Sequence, residues 1–282
     1  MNKAIYIGEL TLSITLPARG GDARTSVGDR VVAAAMLDGS MGVETLFVGE
    51  TGADSVGQHI VGKLEDASVK TDNIDRFTEG ASPVRVESPE SAAPVLHSAY
   101  PPEPFNPVWP RVNEGDTVVF GSYMALEERN HDRIIELLKH ARARKAQVVY
   151  LPCFEAARVP RITRVMPEIF DNLEAATLVL ATVADLAAIF PGETPEKTFK
   201  DHILFYCKRC LVLDHETMKM RFFDGDESWT IDCHPCTSSE ADWVAGAVAG
   251  AVRALTEGIK DPDEIMAKAN ETAHSTLASA LQ

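Results

Sequence analysis

From residue 116 onward, short apolar runs alternate with longer amphipathic ones, and that alternation leaves the chain few folds to adopt. DTVVFGS (116–122), AQVVYLP (146–152) and TLVLAT (177–182) read as strands. HDRIIELLKHARAR (131–144) reads as an amphipathic helix, 161–174 as helical, and VADLAAIF (183–190) as a helix stopped before Pro191. Strands alternating with helices imply right-handed βαβ units and a mainly parallel sheet covered on both faces. The front of the chain keeps the same rhythm. KAIYIG (3–8) is β-rich, TLSITL (11–16) alternates as a half-buried strand does, and GGDARTSVGD (20–29) is a glycine- and polar-rich loop. The helix RVVAAAMLDG (30–39), ended by Gly39, the strand VETLFVG (43–49) and the helix SVGQHIVGKLEDA (55–67) behind Asp54 follow. ILFY (203–206), CLVLD (210–214) and MRFF (220–223) are further strand candidates. Two helices close the chain, one over about 239–256 and one opening at Asp261-Pro262.

The segment 73–100 breaks this rhythm. SPVRVE and APVLHSAY are β-patterned runs separated by a turn-prone SPESA, which predicts a small β lid, and PPEPFNPVWP (101–110) reads as extended chain. The expected organisation is one α/β domain over 1–282, with lid strands from about 11–16 and 81–100. The chain is 45% hydrophobic and 24% charged, enough to bury a substantial core. A net charge of −15 argues against a nucleic-acid or anionic-membrane partner, because phosphate binding needs clustered Lys and Arg. The N-terminus lacks a secretory apolar region, and the small-apolar run Val244 to Val252 is too short to span a bilayer. A soluble, cytoplasmic protein is expected.

Two constellations could carry chemistry. In TSSEADWVAGAVAG (237–250), Thr237, Ser238 and Ser239 can cap a helix whose first turn holds Asp242. The stretch reads as a capped helix or as an anion-binding loop, since a helix N-terminus favours negative charge. Ala245, Gly246, Ala249 and Gly250 suit close helix–sheet packing. The second constellation is a C-x₂-C-x₂₂-C-x₂-C pattern of Cys207, Cys210, Cys233 and Cys236. Two such knuckles can bring four thiolates to a Zn²⁺ ion, with His202, His215 or His234 as substitute ligands. Buried thiols and a redox dithiol are the other readings. His59, His97 and His131 read as surface or internally satisfied side chains. No P-loop, H-E-x-x-H or G-x-S-x-G motif is present.

The order of these parts resembles the ribokinase-like (phosphofructokinase-B type) carbohydrate kinases across nearly the whole chain. GVETLFVGETGADSVGQHIVGKL (42–64) carries the resemblance best, with Gly8-Glu9 and the lid-like 81–100. The resemblance implies a three-layer α/β sandwich with a β lid, often dimeric through such lids. It also implies phosphoryl transfer from ATP, with Mg²⁺, to a sugar or nucleoside hydroxyl. The family's D-T-x-G-A-G-D signature falls on Cys236 to Asp242. Asp242 then stands at the general base, with Thr237, Ser239 and Ala241 along the anion loop. Both glycines of that loop are replaced, and Glu240 brings negative charge beside it. Ser13 stands where the family has a sugar-binding Asp, and Gly28 and Asp29 stand at the glycine pair that opens a substrate-binding helix. Ala33 replaces that helix's Asn, and Thr182-x-x-Asp185 replaces the N-x-x-E that organises magnesium. The Cys207–Cys210 knuckle takes the place of the nucleotide-side T-L-G turn, which would bring the two cysteine pairs together. The expected function is a carbohydrate kinase with a divergent site. The alternative is a repurposed, non-catalytic relative that binds a ligand or partner, with a structural zinc.

Overall fold

The structure, a computed structural model, describes residues 2–275 apart from 19–20, 89, 91–93, 104, 160 and 235–238. Its centre is a sheet of nine strands. In chain order these are β1 (Ala4–Ile7), β4 (Thr45–Gly52), β5 (Val69–Phe77), β8 (Thr117–Gly121), β9 (Gln147–Leu151), β10 (Leu178–Thr182), β11 (Arg209–Asp214), β12 (Lys219–Asp224) and β13 (Glu227–Asp232). Their spatial order is β13-β12-β11-β10-β9-β8-β1-β4-β5. The run from β5 to β11 is parallel, and β11, β12 and β13 close that edge as an antiparallel meander. Every residue of β1, β4, β8 and β10 is buried, as parallel strands covered on both faces must be.

Successive side chains point to opposite faces and so build two apolar layers. Tyr6, Phe47, Val119, Leu211 and Phe222 enter one layer, beneath α1 (Arg30–Ser40), α2 (Ser55–Asp66), α7 (Glu240–Thr256) and α8 (Pro262–Ser275). Ile5, Ile7, Val118, Tyr150 and Val212 enter the other, beneath α3 (Glu128–Ala143), α4 (Met166–Ala175) and α5 (Val183–Ile189). The short α6 (Pro195–Thr198) runs into a wide turn of π-helix, Phe199–Ile203, which adds Phe199 and Ile203 to this second layer. The three-layer α/β arrangement expected from the sequence is therefore present.

A second sheet of four strands has the order β3-β2-β6-β7, with β2 (Leu12–Thr15), β3 (Arg24–Val27), β6 (Ala81–Glu87) and β7 (Val95–Ala99). Asp54 anchors it to the main body. That carboxylate caps α2 through Gly57 N (2.8 Å) and accepts from Ser82 N and Oγ (both 2.8 Å), tying the start of β6 to the end of β4.

Several local readings are corrected. ILFY is not a strand, because Phe199 and Ile203, four apart on one helical turn, carry the segment into the core. Part of the 20–29 loop is a strand, since Arg24–Val27 pairs antiparallel with β2. Gly39 does not end α1. The helix runs on to Ser40, Gly42 takes the positive φ (+82°), and a Cβ on Gly39 would come within 2.3 Å of Ala67 O. The small residues of α7 face another helix: a Cβ on Gly250 would lie 2.8 Å from Ala269 Cα in α8. No helix among the described residues is long and apolar enough to cross a membrane.

Candidate functional site

The C-terminal ends of the parallel strands lie on one edge of the main sheet, where α/β proteins build their clefts. A cavity of about 1010 Å³ opens there, walled on one side by β2, β3 and β6 of the second sheet. Ser13, Gly28, Asp29, Asp185, Ala241 and Asp242, which four separate stretches of sequence supply, all line it.

Gly28 turns the chain from β3 into α1. Its φ of +65° suits glycine, its N–H donates to Thr11 O (2.7 Å), and a Cβ there would strike Val32 at 2.2 Å. The turn leaves Asp29 as the N-cap of α1, accepting from Val31 N at 2.9 Å. Burial pushes the Asp29 carboxyl up from its ordinary range, against the hydrogen bonds that hold it down.

Asp185 is fully engaged. Arg30 Nη2 and Nη1 donate to its Oδ1 (2.6 Å) and Oδ2 (2.9 Å) as a fork. Phe154 N donates to Oδ1 at 2.9 Å, and Thr182 N and Oγ1 donate to Oδ2 at 3.0 and 2.8 Å. Thr182 and Asp185 thus form a capping box that starts α5, and the box is closed from outside by Arg30. A carboxylate with both oxygens so occupied has no lone pair left for a metal, so the residues present do not fit a Mg²⁺ ion at Asp185. The other wall is crossed by Arg85, which pairs with Glu87 and, at 2.5 Å, with Glu155 of the loop after β9. Ser13, Thr15, Thr25 and Ser26 add hydroxyls from the second sheet.

At the mouth, Ser239 is the N-cap of α7, its Oγ accepting from Asp242 N at 3.2 Å and donating to Asp242 Oδ2 at 2.7 Å. Asp242 is half-buried and Glu240 is exposed. The stretch is a capped helix, and its carboxylate faces the cleft as well. Thr237 lies outside the described residues.

The cysteines behave otherwise. Cys207 and Cys210 belong to the apolar layer under α3, α4 and α5, whereas Cys233 belongs to the layer on the opposite face of the sheet. Burial pushes the Cys207 and Cys210 thiols up, and Cys207 donates to Arg209 O at 3.3 Å. Cys236 lies outside the described residues, and no group of three or more metal-binding side chains is found among those described. Cys207 and Cys210 are thus separated from Cys233 by the sheet, as Cys210 and Leu211 alternate across β11.

Sequence reasoning missed Arg30, Arg85 and Glu155. A signal for Arg30 existed: a cation in the first turn of a helix opposes the helix dipole and calls for a carboxylate partner.

No protein-family model and no curated protein matches the sequence. Solved structures do match in shape. An aminoimidazole riboside kinase from Salmonella enterica, complexed with aminoimidazole riboside and an ATP analog, superposes with a TM-score of 0.80 at 12% identity over 99% of this chain and 94% of its own. A fructokinase from Vibrio cholerae in apo form gives 0.81 at 11% identity over 97% and 96%. A putative ribokinase II from E. coli, in complex with ATP and Mg²⁺, gives 0.77 at 12% identity over 96% and 91%. The chain has the fold of the ribokinase-like sugar and nucleoside kinases.

Proposed function

We propose that this cleft binds a small polyhydroxylated molecule, a sugar or nucleoside, and that the protein transfers a phosphoryl group from ATP to one of its hydroxyls. The observation that carries this reading is the convergence of Asp242, Asp29 and the hydroxyls of Ser13 and Ser26 on one cavity of about 1010 Å³. Such a volume holds one small molecule together with part of a second. Hydroxyl side chains and carboxylates suit the donor-rich edge of a polyol.

Asp242 is the group placed to take the proton from the acceptor hydroxyl as its oxygen bonds to phosphorus. Ser239 Oγ, donating to Asp242 Oδ2, fixes that carboxylate and leaves its other oxygen for the ligand. The N-cap also spares Asp242 from satisfying the helix start alone. ATP, when bound, supplies the phosphoryl group and leaves as ADP. No step is routed through a metal at Asp185, whose oxygens are occupied.

Transfer of label from γ-labelled ATP across a panel of sugars and nucleosides tests the reading. One or more acceptors should be labelled, and Asp242→Asn should reduce transfer by about 100-fold or more at unchanged melting temperature. Undiminished transfer in Asp242→Asn, or no labelled acceptor, overturns it. The second outcome favours the reading in which the cleft binds its ligand without chemistry.

A further inference from the structure

The walls of the cleft hold three Lys or Arg side chains among the described residues, Arg30, Lys63 and Arg85. Arg85 is engaged by Glu87 and Glu155. Asp29, Glu240 and Asp242 line the same cleft. A polyphosphate entering this space would meet uncompensated carboxylates unless a fixed positive charge stood among them. A divalent ion cannot supply it at Asp185, because five donors already fill both oxygens of that carboxylate.

Lys63 is exposed, and the fixed charge that stands there is Arg30. Its guanidinium is locked by a two-pronged pair to a carboxylate that Thr182 and Phe154 fix in turn, so it is rigid as well as charged. Its side chain keeps 21% of its surface open, and it lines the cavity. A guanidinium has five N–H donors and a planar fork that matches phosphate oxygens; Arg30 makes three bonds with them, two to Asp185 and one to Thr182 Oγ1 at 3.4 Å. We infer that Arg30, held by Asp185, is the resident cation of the cleft and binds the negatively charged part of the ligand, a polyphosphate, without a metal ion on Asp185. The inference rests on the proposed function only for the identity of that anion. Asp185 is then a positioning residue that acts through Arg30, and Asp185→Asn should weaken polyphosphate binding although it removes a negative charge.

Two titrations on the full chain test this. In the first, Mn²⁺ alone is followed by water-proton relaxation in the wild type and in Asp185→Asn. Equal enhancement supports the inference, and binding present in the wild type but lost in Asp185→Asn overturns it. In the second, tripolyphosphate is titrated calorimetrically in the presence of EDTA. The wild type should bind, and Arg30→Gln should bind at least tenfold more weakly. Equal affinity of the two, or no binding by the wild type, overturns the inference. Because Arg30→Gln leaves a buried carboxylate unpaired, the double variant Arg30→Gln/Asp185→Asn, which removes both charges, must show the same loss. Neither titration contains an acceptor or depends on Asp242, so its failure is separate from failure of the transfer assay.

Discussion

Two arginine–carboxylate forks in this molecule look alike and do different work. Arg30 pairs with Asp185 in the cleft, and Arg129 at the start of α3 pairs with Glu50 near the end of β4. The side-chain exposures nearly coincide, 21% and 2% for the first pair against 20% and 4% for the second, so burial does not distinguish them. What differs is the neighbour on the open side. Arg30 faces a cavity. Arg129 lies 5.2 Å from the centre of the Tyr100 ring and donates to Glu103 O at 2.7 Å, so its remaining surface is spent on fastening the 100–103 segment. A neighbouring pair repeats the second pattern: Arg158 binds Glu9 and lies 3.9 Å over the ring of Tyr123. A charged pair under a roof holds loops together, and the same pair with an open side is available to a ligand.

The sharpest way to break this comparison is to remove Arg129. Arg129→Met strands the buried Glu50 carboxylate, and the protein should lose about 3–5 kcal/mol in urea unfolding. Its tripolyphosphate affinity should not change. A loss of affinity in the folded protein would place the second fork in the binding machinery and dissolve the distinction.

A third buried carboxylate sharpens the contrast because among the described residues no arginine forms an ion pair with it. Asp38, wholly buried in α1, accepts from Tyr6 Oη at 2.5 Å. Burial pushes its carboxyl up from 3.8 to about 7, against the pull of Tyr6 and Arg253. The folded chain therefore holds a proton that the unfolded chain releases, and stability falls as pH rises from about 4 to about 7. Asp38→Asn keeps an acceptor for Tyr6 and removes this slope. At pH 8 it should stabilise the protein by up to about 4 kcal/mol, with little difference at pH 4. A wild type whose stability is flat across that window would contradict the account of Asp38. A smaller effect is expected from Ser82→Ala, which removes the hydroxyl that donates to Asp54 and accepts from Gly52 N and Thr51 Oγ1. About 2 kcal/mol should be lost, read as a fall in melting temperature.

Much of the fold is legible because parallel strands such as LVLAT and TVVFG are apolar throughout and the amphipathic α3 shows its period plainly. β13, with ESWTID exposed or half-exposed along its length, gives no such signal and is held by its ladder with β12. In the cleft, Asp29 and Asp242 can be singled out because each sits at a helix start, a local feature. Arg30 and Asp185 are 155 residues apart, and nothing local in either stretch names the other. The cysteine spacing gives distance along the chain and leaves out that Cys207 and Cys210 enter one face of the sheet and Cys233 the other.

The most direct measurement compares phosphoryl transfer by Asp242→Asn and Arg129→Met at equal folded concentration, with the acceptor that the wild type uses. Asp242→Asn should lose about 100-fold or more in turnover, and Arg129→Met should match the wild type. Equal losses in the two variants, or a loss in Arg129→Met alone, would contradict the assignment of chemistry to the cleft that Asp242 lines.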